Sequence, residues 1–345
     1  MRHFTYRNLR ELQQDVEAQG ARHVGFESDP EKIRLAMGRP VQVGSFTVGN
    51  AMAIHPMEGC DSTLDGRPDE LTWRRYERFA HGGAKLLWFE ATAVREDGRA
   101  NARQLWINQG NVDDYARILD RIRTVHAERW GTVDDVLVPI QLTHSGRYSY
   151  PRKMIAYHNP HIDAKSGTPA DYPTITDDEL LRLEDDYLEA AKLSYAAGFR
   201  ALDLKVTHGY LLSELTGAKV RPGAYGGPLE NRLRFMLNVI GKLRAEFGAR
   251  MLICMRLGCF DSVPYFRDPK TGVGVPAVFE TPYPHGFGVN RDNPLQEDLT
   301  EVKESIRRFQ QAGVSLINVS LACPYYNPHV GRPFEKPDDG NYEQP

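Results

Sequence analysis

Residues 201–215, ALDLKVTHGYLLSEL, mix apolar positions with side chains that can donate, accept or transfer protons. Lys205, His208 and Tyr210 fall where an apolar strand pattern gives way to an apolar helical pattern. A tyrosine in a pocket can act as a general acid, and lysine or histidine can bind a substrate oxygen. The same tripeptide, HGY, equally fits a tyrosine that only packs at the start of a helix.

Asp203 and Lys205 share one face of the predicted strand, because strand side chains alternate between two faces. The opposite face is apolar and fits packing against helices. Lys205 therefore has two interpretations. It is either a cation that faces a ligand at the mouth of the strand or one half of a buried ion pair with Asp203, since buried charges are usually paired.

Two further polar residues end apolar strand patterns, Gln141 in VLVPIQ and Arg256 in MLICMR. A buried arginine needs an anionic or carbonyl-rich partner, and a glutamine brings both a donor and an acceptor. Together at neighbouring strand ends they suit a heteroaromatic ligand with imide groups. They equally fit buried polar residues that are satisfied within the protein.

Short apolar segments alternate with amphipathic helical patterns from residue 50 onwards, which predicts parallel strands joined by right-handed crossovers. An open doubly wound sheet and a closed (β/α) barrel both fit, but no GxGxxG follows the first strand, which disfavours the open sheet. The predicted strands are residues 51–56, 85–94, 136–144, 201–206, 251–257 and 316–320, and the predicted helices are residues 69–83, 112–131, 177–198, 230–248 and 299–313.

Only six βα units are visible, whereas a full barrel of this class has eight. We therefore predict an α/β fold of the TIM (β/α)8 type with about six units present, an incomplete barrel over residues 41–345. Residues 1–40 are predicted to form an N-terminal helical extension. VQVGSFTVGN (residues 41–50) predicts a hairpin that caps the bottom of the barrel.

The bulk composition excludes several classes of protein. The 345 residues are 41% hydrophobic and 26% charged, enough apolar surface for a large core. The net charge of −3 and the lack of a basic block argue against nucleic acid as a partner. The sequence shows no export signal and no apolar run of 18 residues, so neither export nor a membrane span is predicted. The four cysteines are scattered and form no CxxC motif, which fits a reducing cytoplasm and gives no metal signature.

Several motifs in order together carry a family resemblance. They are IHPMEG (54–59), FEATAV (89–94), QLTHSGR (141–147), HGYLLSEL (208–215), VRPGAYGGPLENRLRF (220–235) and ICMRL (253–257). In this combination the chain, from about residue 40 to 340, resembles the Old Yellow Enzyme family of FMN-dependent ene-reductases. The resemblance implies a TIM barrel with FMN across the C-terminal ends of the strands and NAD(P)H as the reductant.

The resemblance also implies roles for the strand-end residues. Gln141 would bind the pyrimidine edge of the flavin, and Arg256 would lie near N1 and O2, where negative charge develops on reduction. Lys205 and His208 would bind the carbonyl oxygen of a small-molecule substrate. Tyr210 would protonate the α-carbon while hydride reaches the β-carbon in a ping-pong cycle. The residues expected to contact the flavin are Pro56, Met57, Glu58, Ala91, Gln141 and Arg256.

Three departures from the family pattern affect these expectations. Lys205 stands where the family usually has histidine, which would favour an anionic substrate group. Glu58 stands where the family has a small residue, and its negative charge should oppose flavin reduction unless the carboxyl is protonated. The last two βα units are not seen, so we expect a C-terminally truncated chain in which the FMN phosphate lacks its usual loops. An iron–sulfur cluster is expected only in such a missing part.

Two other classes of function stay open at this point. The chain could be a non-catalytic fragment, or a subunit that needs a partner chain to complete the barrel. It could also be a TIM-barrel lyase that uses Lys205 as a Schiff-base amine, or a hydrolase with Glu58, His144 and His208 as metal ligands. No metal is expected, because these three residues lack any metal-binding spacing. The oligomeric state is left open, with a homo-oligomer among the options.

Overall fold

The structure is a computed structural model that describes residues 6–21, 23–271 and 274–331. Its helices are α1 (Leu9–Ala18), α2 (Pro30–Gly38), α3 (Glu70–Gly82), α4 (Val112–Trp130), α5 (Pro160–Ser166), α6 (Asp177–Ala196), α7 (Leu211–Gly217), α8 (Leu229–Phe247), α9 (Thr300–Ala312) and α10 (Pro328–Gly331). Its strands are β1 (Val41–Val43), β2 (Phe46–Val48), β3 (Ala53–Ile54), β4 (Leu86–Leu87), β5 (Phe89–Ala93), β6 (Pro139–Thr143), β7 (Ala201–Val206), β8 (Leu252–Gly258), β9 (Tyr265–Arg267), β10 (Gly274–Pro276) and β11 (Val314–Ser320).

Five parallel strands form the central sheet in the order β11-β8-β7-β6-β5. β3 and β4 form a separate parallel pair, and only Trp88 separates β4 from β5 along the chain. Each of the six predicted strand segments therefore overlaps a parallel strand, five of them in the central sheet and the first, β3, in the separate pair. The first strand is shorter than predicted, because β3 ends at Ile54 and Pro56 has no N–H group to continue a ladder.

The helices that follow the strands pack side by side, α3 on α4, α4 on α6, α6 on α8 and α8 on α9. Local signals set their ends. At the start of α6, Thr176 and Glu179 form a reciprocal capping box. Helices α3 and α4 end at Gly83 and Gly131, which adopt the left-handed conformation that glycine tolerates best. The amphipathic pattern thus predicted these helices to within about two residues.

Strand β7 is buried along its whole length. Leu202 and Leu204 belong to the main core that the strands share with the surrounding helices, while Asp203 and Lys205 lie on the opposite face. Each fully buried leucine contributes roughly 1.5–3 kcal/mol to folding. The apolar face therefore fixes the position of the strand, and with it the direction in which its polar side chains point.

The antiparallel hairpin of β1 and β2 closes the end of the sheet at which the strands begin. Val43 and Val48 pack there with Ala201 and Leu252, the first residues of β7 and β8. This arrangement agrees with the predicted cap. The hairpin therefore covers the end of the sheet opposite to the polar strand ends.

Helix α5 and the hairpin of β9 and β10 lie in segments that the sequence pattern left as long loops. Helix α5 has a local signal, because Asn159 caps it and Pro160 occupies its first turn. The hairpin packs near α5, where Lys165 lies 4.7 Å from the centroid of the Phe266 ring. Both elements lie on the same side as the ends of strands β6 and β8.

Arg147, in the turn after β6, joins three elements near those strand ends. Its side chain is fully buried and forms ion pairs with Asp163 of α5 and Glu214 of α7. It also donates a 2.8 Å hydrogen bond to the carbonyl oxygen of Tyr157. Two buried carboxylates share this guanidinium, which therefore links α5 to α7, and Asp163 also lies 2.8 Å from Nδ1 of His158.

Arg147→Met should destabilise the protein by about 3–5 kcal/mol, because it leaves two buried carboxylates without their cation. Urea denaturation followed by circular dichroism would measure the loss. Arg117→Met is the matched control, since Arg117 pairs with Asp114 at the surface with its side chain 64% exposed. That variant should change stability by less than about 0.5 kcal/mol, and equal effects of the two substitutions would contradict the prediction.

Candidate active site

Three polar side chains form a row across neighbouring strands at the carboxyl end of the sheet. Lys205 of β7 is the register partner of Arg256 of β8, which is the partner of Asn318 of β11. One step deeper, Gln141 of β6 is the partner of Asp203. Register partners of parallel strands lie on the same face, so the sheet presents two layers of polar groups to one side.

The segment after β3, residues 55–60, runs over this row and is called the crossing segment below. The Nδ1 atom of His55 lies 3.0 Å from Nδ2 of Asn318, and Arg256 donates a 3.1 Å hydrogen bond to the carbonyl oxygen of Pro56. Glu58 forms an ion pair with Lys205. The crossing segment therefore contacts the row from β11 back to β7, and Met57 between these contacts is 71% exposed.

Lys205 forms its ion pair with Glu58, and no ion pair joins it to Asp203 within the described part of the chain, so the alternative of an Asp203–Lys205 pair is not supported. Asp203 instead accepts a 2.5 Å hydrogen bond from Gln141. The Lys205 side chain is 3% exposed, and its Nζ lies 3.8 Å from the centroid of the Tyr210 ring. Burial lowers the pKa of Lys205, and the neighbouring Glu58 carboxylate opposes that effect.

Tyr210 caps the amino end of α7 and is buried beneath the crossing segment. Its hydroxyl lies 3.2 and 3.3 Å from the two carboxylate oxygens of Glu58 and 3.3 Å from the hydroxyl of Tyr325. Burial, reinforced by Glu58, raises the pKa of Tyr210 well above its usual value. The side chain is therefore a neutral phenol at neutral pH, the form that has a proton to give.

His208 occupies the sharp turn between β7 and α7, with a φ of 66° in the left-handed region. This conformation is uncommon for residues other than glycine and sets the direction of the chain into Tyr210. The Nε2 atom of His208 lies 3.4 Å from the hydroxyl of Ser320, at the end of β11. Burial, together with the nearby Lys205 and Arg256, lowers the pKa of His208 to about 2, so its imidazole is neutral.

The residues expected to contact a flavin divide into two groups. Gln141 and Arg256 lie together at the strand ends, and each has a buried polar atom, Oε1 and Nε respectively, with no hydrogen-bond partner in the described part of the chain. Ala91 is buried in β5, where its carbonyl oxygen accepts a 3.2 Å hydrogen bond from Gln104. The second group, Pro56, Met57 and Glu58, lies in the crossing segment.

Two aromatic residues at the site were not predicted. Tyr325, in the segment after β11, stacks on Tyr148 with ring centroids 4.1 Å apart and contacts the Tyr210 hydroxyl. The pair follows the ends of two strands that are far apart in the sequence. Their only local signal is an aromatic residue soon after a strand end, and such residues are common.

The metal-ligand alternative finds no support in the geometry. Within the described ranges, no three His, Cys, Asp or Glu side chains come close enough to hold a metal ion. Glu58 pairs with Lys205, whereas Nδ1 of His144 accepts a 3.1 Å hydrogen bond from the backbone of Gly146.

None of the described helices has the length and apolar composition needed to span a bilayer.

Comparison with known proteins identifies the family of this chain. Residues 37–270 match the NADH:flavin oxidoreductase / NADH oxidase family. The chain belongs to this family. Its members are NAD(P)H:flavin oxidoreductases, and FMN and NAD(P)H are the cofactors typical of them.

Individual relatives agree with this assignment. A Gibberella zeae NADH:flavin oxidoreductase is 24% identical over 339 residues, 90% of this chain and 74% of that protein. A putative 12-oxophytodienoate reductase 3 of Oryza sativa subsp. japonica is 30% identical over 244 residues, 65% of this chain and 60% of that protein. The match therefore spans about three fifths of the rice protein. The solved structure of the old yellow enzyme homologue from Zymomonas mobilis has a TM-score of 0.62 at 18% identity, covering 88% of this chain and 81% of that one, and shows the same fold.

The strand-end residues fit the ring of FMN. The unpartnered amide oxygen of Gln141 can accept a hydrogen bond, and the unpartnered N–H of Arg256 can donate one. Buried polar atoms without partners are rare in native proteins, and the imide edge of a flavin carries both complementary groups. The donor and acceptor set of this family member thus suits its typical cofactor.

The buried carboxyl group of Asp203 makes the stability of the folded protein depend on pH. Burial raises the pKa of Asp203 to about 6, although the hydrogen bond from Gln141 opposes that effect. A raised pKa in the folded state means that the folded protein binds the proton more tightly than the unfolded chain. The contribution of Asp203 to stability is therefore greatest below about pH 4 and is lost as the pH rises through about 6.

We expect the wild type to lose up to about 3 kcal/mol of stability relative to Asp203→Asn as the pH rises from 4 to 7. Urea denaturation at several pH values would measure it. Asp134→Asn, at an exposed position, serves as a control and should show no such trend. A constant difference, or one that grows in favour of the wild type, would contradict the raised pKa.

Proposed function

We propose that this chain is an incomplete barrel of an FMN-dependent ene-reductase, which uses NAD(P)H to reduce activated C=C bonds of a small molecule in a ping-pong cycle. On this proposal, the five-stranded parallel sheet and the β3–β4 pair belong to a (β/α)8-type barrel. Residues 41–345 would be one oxidoreductase domain and residues 1–40 an extension to it. We also propose that the enzyme acts in the cytoplasm.

The observation that carries the proposal is the neutral phenol of Tyr210 held against Lys205 at the strand ends that also present Gln141 and Arg256. A buried phenol of raised pKa keeps its proton until a strong base, such as a developing carbanion, arises beside it. The name of the rice relative, a putative oxophytodienoate reductase, also supports a reduction of this kind.

The roles of the binding residues follow from their positions. Gln141 and Arg256 would hold the flavin ring, with Ala91, Pro56, Met57 and Glu58 bordering it. When bound, FMN would supply the hydride that adds to the β-carbon of the substrate. Arg256 contributes a fixed positive charge at the strand ends, where it would stabilise negative charge on the ring.

The remaining steps depend on side chains of this protein. Lys205 donates hydrogen bonds only, so it would bind and polarise the substrate oxygen and favour the electron-rich form of the substrate. The neutral imidazole of His208 would provide a second contact to that oxygen. Tyr210 would then donate its proton to the α-carbon, which requires that its hydroxyl be released from Glu58.

The lyase alternative is less consistent with the same contacts. A Schiff-base lysine must be free and neutral to attack a carbonyl group. Lys205 is instead ion-paired with Glu58 and lies over the Tyr210 ring, two contacts that favour the charged ammonium. The geometry therefore supports an electrostatic role for Lys205 over a nucleophilic one.

Tyr210→Phe should slow alkene reduction by about 10²–10⁴-fold, because it removes the proton donor and leaves the ring in place. The rate at which NAD(P)H bleaches the flavin absorption band should stay nearly unchanged. Anaerobic stopped-flow spectroscopy of the FMN-loaded protein, with cyclohexenone as the alkene, measures the two half-reactions separately.

Tyr115→Phe is the matched control. The hydroxyl of Tyr115, in α4, is also buried, but it donates its hydrogen bond to the carbonyl oxygen of Gly66. It should leave both half-reactions unchanged. A parallel loss of both rates in Tyr210→Phe would show that Tyr210 is not the proton donor. A purified protein that retains no FMN after incubation with the cofactor would contradict the proposed function itself.

A further inference from the structure

The carboxylate of Glu58 occupies a binding site formed by two other side chains. Lys205 pairs with it directly, and the Tyr210 hydroxyl lies within 3.3 Å of both of its oxygens. Because Nζ of Lys205 lies 3.8 Å from the centre of the Tyr210 ring, the cation and the phenol approach the carboxylate together. An ammonium and a hydroxyl directed at one carboxylate make a receptor for that group.

The two donors are held more rigidly than the group they bind. Lys205 belongs to a central strand buried on both faces, and Tyr210 begins the fully buried helix α7. Glu58 lies in the crossing segment, which has no regular secondary structure, and its side chain is 17% exposed. The carboxylate can therefore turn into solvent at lower cost than either donor can move.

The charges around the donors require an anion at this position. Lys205 and Arg256 are register neighbours and both are cationic, whereas Asp203 is engaged by Gln141 one layer deeper. The His208 imidazole is neutral, so it does not balance the positive charge of Lys205 or Arg256. Removing Glu58 would leave the Lys205 ammonium buried without a direct counter-charge, which is strongly unfavourable. An anion from solution would gain the interaction that Glu58 loses.

Aromatic rings lie beside the carboxylate receptor formed by Lys205 and Tyr210. Tyr325 stacks on Tyr148, and both rings lie within 6.4 Å of the Tyr210 ring, centroid to centroid. Aromatic walls beside a carboxylate-binding pair suit a ligand whose acid group is joined to a planar conjugated or aromatic body.

We propose that Lys205 and Tyr210 form a carboxylate-binding site, that Glu58 fills this site in the resting protein, and that small conjugated carboxylates compete with Glu58 for it. Once such an acid has displaced Glu58, Lys205 and His208 hold its carboxylate, and the Tyr210 hydroxyl turns to the α-carbon that it protonates. As a statement about substrates, this inference rests on the function proposed above and identifies the substrate class as α,β-unsaturated carboxylates. Glu58 then acts as an internal competitor that keeps the buried lysine paired until an acid of the right shape arrives.

Glu58→Ala should bind cinnamate about tenfold more tightly than the wild type or better, because it removes an internal competitor for the receptor. Isothermal titration calorimetry of the purified full chain measures this without any turnover. Cinnamamide, the neutral isostere, should bind both proteins equally weakly. Adding Lys205→Met to Glu58→Ala should abolish the gain for cinnamate.

Glu189→Ala is the matched control, because Glu189 pairs with Lys192 on the surface with its side chain 61% exposed. It should bind cinnamate as the wild type does. If Glu58→Ala does not purify as a folded protein, Glu58→Gln keeps the side-chain volume and should show the same direction of change. Equal affinity of wild type and variant for cinnamate, or an equal gain for cinnamamide, would overturn the proposal.

The binding experiment separates this inference from the proposed function. A protein that reduces cyclohexenone but shows no Glu58-dependent binding of cinnamate retains the function and loses the carboxylate site. A protein that binds cinnamate as predicted but reduces no alkene retains the site and loses the function.

Discussion

The buried ammonium of Lys205 is the constraint on which the rest of the site depends. It lies on a strand whose other face is fixed in the main core, so it cannot withdraw to solvent without disrupting that core. A buried cation needs a partner, and no acid on its own strand provides one, because Asp203 is bound to Gln141. The partner is Glu58, 147 residues away in the sequence.

This one ion pair organises the groups around it. With Glu58 anchored on β7, the crossing segment lies over β8 and β11, where Pro56 contacts Arg256 and His55 contacts Asn318. The same carboxylate also fixes the Tyr210 hydroxyl. The pairing of Lys205, the covering of the strand ends and the position of the Tyr210 phenol therefore all depend on Glu58. A ligand that displaces Glu58 would change all three.

Much of this arrangement could be predicted from the sequence, because it depends on local periodicity. Parallel strands end at one edge of a sheet, so Gln141, Lys205 and Arg256 were expected together, and they are together. The helices were predicted because their apolar spacing and capping residues are local signals. The hairpin ahead of the sheet was predicted for the same reason.

The contacts between segments that are distant in the sequence could not be predicted in this way. Alternation along β7 placed Asp203 and Lys205 on one face but could not show that register couples Asp203 to Gln141. The Glu58–Lys205 pair and the Tyr325 contact to Tyr210 join segments distant in the sequence. Such pairs leave no periodic pattern, and only the folded chain brings them together.

A double-mutant cycle on Lys205 and Glu58 would measure how strongly these two buried residues are coupled. The free energies of unfolding of Lys205→Met, Glu58→Gln and the double variant would be compared with that of the wild type. We expect a coupling energy of at least about 2 kcal/mol, larger than that of a parallel cycle with Lys205→Met and Asp203→Asn. If the effects of the two substitutions add to within about 0.5 kcal/mol, Glu58 is not the partner of Lys205.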